Sequence, residues 1–242
     1  MQQWLSDASG APFVWLGTSH IIVLTIYILG VGVLFSQHKR ITANESLLQT
    51  LRWGLFGILV FSEIIYHIWA MANGVWNAAE FLPLHLCGIA GICCAIALVT
   101  SNQTIVEIVY FIGFFPAFLA VATPELIYDF PHFRFWKFFI HHCAISWGSF
   151  FVVITSPITI TWKSMLNVYI MLLAYAAVVG FFINPLLDAN YLFLDQATSA
   201  QTPLNLLGDG FWYYVNLGLL ALVVFIGLWR WHKIIKGKTT MQ

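Results

Sequence analysis

Residues 15–36 read WLGTSHIIVLTIYILGVGVLFS, an apolar stretch without Asp, Glu, Lys or Arg. A helix needs roughly 20 mostly apolar residues to cross the hydrocarbon core of a bilayer. Similar stretches recur along the chain, so the sequence predicts an all-α polytopic membrane bundle with seven transmembrane helices. The predicted spans are at about 15–36, 50–72, 82–100, 104–121, 136–155, 164–183 and 211–231.

The composition agrees with a membrane protein. Of the 242 residues, 60% are hydrophobic and 8% are charged, whereas soluble domains carry about a quarter charged residues. We expect a single integral membrane domain over residues 1–242. Because no basic patch is present, no nucleic-acid partner is predicted. The N-terminus lacks the positive region of a cleavable signal peptide, so we expect the first span to be retained.

The Lys and Arg residues indicate the orientation, because such residues are retained on the cytoplasmic side of membrane proteins. With seven spans, Arg134 and Lys137 fall on one side. The other eight of the ten basic residues fall opposite, at Lys39, Arg40, Arg52, Lys163, Arg230, Lys233, Lys236 and Lys238. The N-terminus is therefore predicted outside and the C-terminus in the cytoplasm, in a multi-pass protein of the plasma (inner) membrane.

Two predicted outer connections and one proline add detail. Pro116 lies inside the fourth predicted span, which begins near Glu107, and we expect the proline to kink that helix. The connection 122–135 is rich in aromatic residues, as is typical of the headgroup region. The connection 184–210 carries three aspartates and no basic residue, and we expect it to cover part of the outer surface.

Polar side chains from four spans coincide in depth. Ionisable groups inside a span are costly and usually face the bundle interior, which makes them functional candidates. Counting from the outer ends at about 1.5 Å per residue, His20, His67, Cys87 and His142 all lie roughly five to seven residues deep. Glu63 lies one helical turn below His67. The sequence therefore predicts a polar chamber in the outer leaflet.

Helical spacing narrows the choice of residues. His85 and Cys87 are two residues apart, so they cannot both point at one site. Cys87 shares its face with Gly91, as is typical of closely packed helices. In the fifth predicted span, His142 shares its face with two serines, and we take His142 rather than His141 to be the inward histidine.

The cysteines predict neither a disulfide nor a zinc site, because no CxxC pair or zinc-type spacing is present. They are Cys87, Cys93, Cys94 and Cys143. No cofactor and no metal site is predicted.

The stretch Leu82-Pro83-Leu84-His85-Leu86-Cys87 resembles the YwaF family of integral membrane proteins, which is related to animal transmembrane protein 164. Three further stretches extend the resemblance over predicted spans three to seven: FPHFRF at 130–135 leading to His142, NYLFL at 190–194, and NLLG at 205–208 followed by FWYY at 211–214. The chain departs from the family pattern at Cys143, where a glycine is expected, and near Gly208, where a Pro-Trp pair is expected.

The resemblance implies an acyltransferase that moves acyl chains between phospholipids, with the cysteine of the motif, here Cys87, as nucleophile. A lipid alcohol or water would then resolve the thioester, giving a transferase or a hydrolase. Because the thiolate is the reactive form, an activating base is required. His142 is the predicted base, since an imidazole titrates near neutral pH. The predicted partners are membrane phospholipids, and the oligomeric state is left open.

Further residues are assigned supporting roles. Glu63 and His67 would orient the base, although a structural polar clamp is an alternative. Asn190 and Tyr191 would touch a lipid headgroup or else order the loop. The remaining supporting candidates are His85 and His20.

Two other functional classes use the same residues. Histidines from several helices at one depth suit haem or a transition metal, and a Soret band would favour that class. A non-enzymatic lipid-binding or transport bundle would use Glu63 and the histidines as a proton relay. Against a relay, the cytoplasmic half holds almost no polar group beyond Glu107.

Overall fold

The computed structural model describes residues 2–7, 9–195 and 203–239. Over these residues the chain is helical, and its only β-type pairing is an isolated antiparallel bridge between Pro12 and Tyr128. The α-helices are α1 (Gln2–Leu5), α2 (Thr18–Ala43), α3 (Glu45–Ala72), α4 (Ala78–Phe81), α5 (Leu86–Thr100), α6 (Gln103–Val109), α7 (Phe115–Ala122), α8 (Phe133–Thr155), α9 (Trp162–Val178), α10 (Asn184–Leu187) and α11 (Gly210–Thr239).

Shorter helical turns join or follow some of these helices. Two π-helical turns, Tyr110–Phe114 and Val179–Ile183, connect α6 to α7 and α9 to α10. Two 3₁₀ turns, Tyr191–Phe193 and Pro203–Leu206, lie between α10 and α11. The joined helices form long continuous segments, as spans require.

Among the described residues, six helical segments are long and apolar enough to cross a membrane: Thr18–Ala43, Glu45–Ala72, Gln103–Ala122, Phe133–Thr155, Trp162–Leu187 and Gly210–Ile235. Each overlaps one predicted span, which confirms the all-α membrane fold. The remaining predicted span, 82–100, corresponds to α5, which has 15 residues. That length rises about 22 Å, short of the roughly 30 Å hydrocarbon core. The predicted span at 82–100, and with it the total of seven, therefore stays a prediction.

Apolar side chains cover the outward faces of these helices. Ile28 is 63% exposed, Phe61 64% and Phe181 79%. In water each would carry an unfavourable hydration free energy of about 25 cal/mol per Å² of apolar surface. In lipid hydrocarbon that cost is absent, so the exposed surface agrees with the hydropathy of the helices.

The chain forms two compact units, one ending at Pro157 and the other beginning at Ile158. In the first unit, α8 is central and packs against α2, α3, α5, α6 and α7. From Cys143 to Val153 its residues are buried except for Trp147, which is half-buried. Polar side chains on opposite faces of α8 therefore both meet neighbouring helices rather than lipid.

The helical segment Gln103–Ala122 changes its helix type before Pro116, and the kink expected there stays a prediction. The turn before it is π-helical, and the proline lies in the first turn of α7. On α8, the hydroxyl of Ser146 donates a 3.0 Å hydrogen bond to the carbonyl of Phe114 and shares another of 2.7 Å with the hydroxyl of Tyr27. These contacts join the π-helical turn before Pro116 to α8 and α2.

The segment before α2 folds across one end of the first unit, which the sequence analysis did not anticipate. Three consecutive carbonyls, of residues 5–7, accept hydrogen bonds of 2.7–2.8 Å from Trp69, His132 and Tyr128. Phe13 also donates a backbone hydrogen bond of 3.0 Å to Ile127. The segment thereby fastens the connection between α7 and α8 to α3.

Candidate functional site

Cys87 lies in the first turn of α5. The preceding residues are extended, with His85 at φ −65° and ψ 156° directly before the helix. Gly88 allows this approach, because a Cβ built on it would lie 2.7 Å from the backbone of Pro83. The LPLHLC stretch followed by glycine thus places a thiol at a helix N-terminus, where partial positive charge favours a thiolate.

The Cys87 side chain is half-buried. In the part of the chain that the structure describes, it has no hydrogen-bond partner, so the predicted thiol–imidazole pair is not hydrogen-bonded here. Cys87 lies one turn before Gly91, and Lys137 lies one turn before His141, the residue against which Gly91 packs. The contacts of Lys137 are therefore relevant to the charge near Cys87.

The carboxylate of Glu63 on α3 is the centre of a polar cluster. Oε2 lies 3.0 Å from Nζ of Lys137 and 3.7 Å from Nε2 of His141, both on α8. Oε1 lies 3.7 Å from Nε2 of His67, one turn along α3. We call Glu63, His67, Lys137 and His141 the Glu63 cluster. It joins Glu63 to His67 as predicted and adds two residues that the sequence analysis did not select.

His67 has a defined tautomer. Its Nδ1 accepts a 3.0 Å hydrogen bond from the indole N–H of Trp76. Neutral imidazole carries one proton, so that proton is on Nε2, the nitrogen facing Glu63. This arrangement matches an orienting role and a polar clamp equally, and the catalytic support assigned to His67 stays a prediction.

His141 is the buried histidine of α8, with 4% exposure. Its Nδ1 shares a 2.8 Å hydrogen bond with the hydroxyl of Ser62 on α3. On its other side it packs against α5, where a Cβ built on Gly91 would lie 3.1 Å from Nε2. Since Gly91 is one turn along α5 from Cys87, His141 joins the Glu63 cluster to the helix face that carries the thiol.

His141 is more deeply buried than His142, the histidine that was taken as inward, and the choice between the two stays a prediction. His142 is half-buried, whereas His141 is buried and bonded to another helix. The face argument does not decide between them because α8 is surrounded: the residues on the His141 face, Ile145 and Gly148, are buried as completely as the serines below His142. Small polar residues could not distinguish two faces that are both interior.

His142 nevertheless has the tautomer that a base needs. Its Nδ1 lies 2.7 Å from the backbone carbonyl of Phe138. A carbonyl oxygen only accepts, so Nδ1 carries a proton, and in the neutral ring Nε2 presents a lone pair. The rings of His141 and His142 are 6.1 Å apart between centroids and nearly perpendicular. The role of His142 as base stays a prediction.

Lys137 was assigned to the outer boundary by the sequence analysis, without a functional role. Its ammonium lies 4.3 Å from the centroid of the Tyr66 ring, in cation–π geometry, in addition to its contact with Glu63. The side chain is only 15% exposed. The signal available in the sequence was its position one turn before His141, since i and i+4 residues share a helix face.

His20 occupies a structural position. Its ring is fully buried. Nδ1 accepts a 3.1 Å hydrogen bond from the backbone N–H of Leu16, so the proton is on Nε2, which donates a 2.8 Å hydrogen bond to the carbonyl of Val121. Both nitrogens are thus occupied in fastening the start of α2 to the end of α7. With both nitrogens bonded in this way, His20 has no free ring nitrogen to act as a base.

Asn190 and Tyr191 organise a turn of the second unit. Tyr191 is buried, and its backbone N–H and carbonyl both bond the side chain of Asn184, at 2.9 and 3.0 Å. The side-chain oxygen of Asn190 accepts a 2.9 Å hydrogen bond from the backbone of Asp195. These contacts agree with the loop-ordering alternative, and lipid contact stays a prediction. Residues 196–202 of the predicted outer connection lie outside the described residues.

Within the described residues, no group of three or more His, Cys, Asp or Glu side chains is arranged to hold a metal ion. The cysteines are free thiols. Cys143, where the resemblance predicted a glycine, lies in an apolar cluster with Tyr27, Phe135 and Phe139. On α6, the buried carboxylate of Glu107 accepts a 3.0 Å hydrogen bond from Gln103.

Comparison with known proteins gives one family match. The model of the TMEM164 family matches residues 15–229. No curated protein and no solved structure matched the chain. The matched region begins before α2 and extends into α11, so it includes Cys87, the Glu63 cluster and both histidines of α8. The chain is a membrane protein that belongs to the TMEM164 family.

Proposed function

We propose that this protein is a thiol-dependent acyltransferase or acyl hydrolase acting on phospholipid acyl chains in the outer leaflet of the plasma (inner) membrane. The proposal includes seven spans, with α5 as the third, an external N-terminus and a cytoplasmic C-terminus. In that orientation Cys87 and the Glu63 cluster lie near the outer end of the helices. A glycerol ester lies just below the headgroups, at the corresponding depth.

One contact carries the proposal. His141, held by Ser62 and near Glu63, packs against Gly91, one turn from Cys87. A half-buried thiol, two imidazoles, an ammonium and a carboxylate are therefore gathered where α3, α5 and α8 meet. Structural clamps are commonly built from one polar pair, whereas a nucleophile, a base and an orienting carboxylate together are the set that acyl transfer uses.

In the proposed reaction, Nε2 of His142 accepts the thiol proton of Cys87, and the sulfur attacks the ester carbonyl of a phospholipid. The tetrahedral intermediate collapses with cleavage of the carbon–oxygen bond. The lysophospholipid alkoxide leaves with the proton returned by the imidazolium, and a thioester remains on Cys87. A lysophospholipid hydroxyl or water then attacks the thioester, its proton passes to His142, and the thiolate leaves.

The test uses purified protein in nanodiscs that contain a phospholipid with a deuterated acyl chain and an unlabelled lysophospholipid. Mass spectrometry of the lipids should find deuterated acyl chains on the acceptor, or released as fatty acid if water is the acceptor. Activity should be lost in Cys87→Ala and retained in Cys93→Ala, the matched control on the same helix. Equal activity in the two variants would exclude the thiol mechanism.

A further inference from the structure

Lys137 is a cation held within the helix bundle of the first unit. Its ammonium has two fixed contacts with α3: 3.0 Å to Oε2 of Glu63 and 4.3 Å to the centroid of the Tyr66 ring. Burying a lysine is unfavourable unless its charge is compensated. The compensation comes from Glu63 and Tyr66, so the ammonium is fixed in position rather than extended into water.

A chain of contacts leads from this ammonium to the face of α5 that carries Cys87. The Glu63 oxygen that bonds Lys137 lies 3.7 Å from Nε2 of His141. That nitrogen would lie 3.1 Å from a Cβ on Gly91, one turn from Cys87. Further along the two helices, Cys94 contacts Ile145, so α5 and α8 run in the same direction. Cys87 and Lys137, each one turn before the Gly91–His141 contact, therefore lie at the same level.

We propose that Lys137 is a positioning residue whose fixed ammonium stabilises the Cys87 thiolate, so that the thiol proton passes more readily to a neighbouring imidazole. Lys137 transfers no proton and forms no bond to substrate. Glu63 and Tyr66 hold it in place. This inference rests on the proposed function, because a stabilised thiolate is useful only if Cys87 is a nucleophile.

The titratable groups of the candidate site lie on helices that pack against α5. They are Glu63 and His67 on α3, and Lys137, His141 and His142 on α8. The helices α6 and α7 also pack against α5. Of these, α6 contributes Glu107, which lies shortly after the far end of α5 and is bonded to Gln103. Lys137 is the lysine of this group and is paired with Glu63, so its substitution removes a positive charge.

The test measures thiolate reactivity directly and needs no lipid substrate. Purified protein in nanodiscs is treated with iodoacetamide at pH 7.5, and the alkylation rate of Cys87 is measured by peptide mass spectrometry, with Cys93 of the same molecule as internal reference. Lys137→Met should slow alkylation of Cys87 about tenfold relative to Cys93, as expected for loss of one charge several ångströms away. Lys137→Arg should restore the rate to within about twofold.

Lys233→Met is the matched control. Lys233 also lies over an aromatic ring, 4.2 Å from the centroid of Trp229, but in the second unit. It should leave Cys87 alkylation unchanged. If Lys137→Met is not monodisperse, Lys137→Gln makes the same comparison with a side chain that stays polar. A purely structural lysine would alter thermal stability without the selective loss at Cys87.

Failure of this inference can be distinguished from failure of the proposed function. Unchanged relative alkylation of Cys87 in a folded Lys137→Met or Lys137→Gln variant overturns this inference, whether or not the wild type transfers acyl groups. Equal slowing in Lys137→Arg and Lys137→Met also overturns it, because the charge would then not be the cause. Absence of acyl transfer in the wild type overturns the proposed function, while the alkylation comparison still reports on the charge.

Discussion

The ammonium of Lys137 lies 3.0 Å from Oε2 of Glu63, and this ion pair joins α8 to α3. Neither side chain is fully exposed, at 15% and 24%. The pair is therefore less screened than a surface salt bridge, whose contribution is typically below about 1 kcal/mol.

Glu63→Gln leaves the Lys137 ammonium without its anionic partner. Because breaking a partly buried pair leaves an uncompensated charge, the free energy of unfolding should fall by about 1–3 kcal/mol. Unfolding by SDS in mixed micelles measures this change. Glu45→Gln is the control, since Glu45 on the same helix is exposed and contacts only Gln49 four residues on; a similar loss in both variants would contradict a special role for the pair.

Gly91→Ala should displace His141. The added methyl group would lie 3.1 Å from Nε2 and 3.3 Å from Cε1 of that ring, so the ring must shift or α5 and α8 must separate. We expect acyl transfer to fall at least tenfold, with a stability loss of about 1–3 kcal/mol from overpacking.

The matched substitution is Gly54→Ala on α3, where nothing lies within 4 Å of the new methyl group. Alanine is the better helix former, so Gly54→Ala should be neutral or stabilising by up to about 1 kcal/mol. If Gly91→Ala behaves in the same way in thermal unfolding and in the transfer assay, the close packing of His141 against α5 is not required.

His20→Phe should lower stability without lowering the activity of each folded molecule. The substitution leaves the Leu16 N–H and the Val121 carbonyl without their partner, at a cost of about 2–4 kcal/mol in all. His38→Phe, on the same helix, removes only a hydrogen bond to the helix's own backbone at Phe35 and should change stability little. Loss of transfer activity at unchanged stability would assign His20 to the chemistry instead.

Tyr27→Phe and Ser146→Ala should differ, although they remove the same 2.7 Å hydrogen bond. In Tyr27→Phe, Ser146 keeps its donation to the Phe114 carbonyl, so the expected cost is about 1 kcal/mol. Ser146→Ala removes this partner from Tyr27 and also removes the Ser146 hydrogen bond to the Phe114 carbonyl, so the cost should be about 2–3 kcal/mol. Equal midpoints in thermal unfolding would show that the Phe114 carbonyl does not depend on Ser146.

The orientation can be tested with engineered cysteines. Glu125, between α7 and α8, and Lys163, at the start of α9, are both exposed. A membrane-impermeant maleimide should label Glu125→Cys in intact cells and Lys163→Cys only after permeabilisation, against the background of the wild-type chain. The reverse pattern would contradict an external N-terminus.

Much of the helical fold was predictable, because hydropathy over about 20 residues reports on membrane insertion regardless of tertiary contacts. The kink expected at Pro116 also has a local cause, and it stays a prediction. The position of residues 5–7 was not predictable, because their carbonyls accept hydrogen bonds from Trp69, His132 and Tyr128, which are distant in sequence.

The candidate site was predictable in part. Glu63 and His67 are one turn apart on one helix, so periodicity places them together. The pairing of Lys137 with Glu63, and of His141 rather than His142 with Ser62, depends on how α8 is rotated against α3. The spacing of residues within one helix does not specify that rotation. Because α8 is buried on several faces, small and polar residues occur on each of these faces and do not identify the one that meets α3.

The most direct test of the account is to isolate the acyl enzyme. Wild-type protein incubated with donor phospholipid and no acceptor is digested, and the peptide containing Cys87 is analysed by mass spectrometry. The account predicts a hydroxylamine-sensitive acyl group on Cys87, absent from Cys93 and strongly reduced in His142→Ala. Transfer of acyl chains with Cys87 unmodified across a broad panel of donors would contradict it.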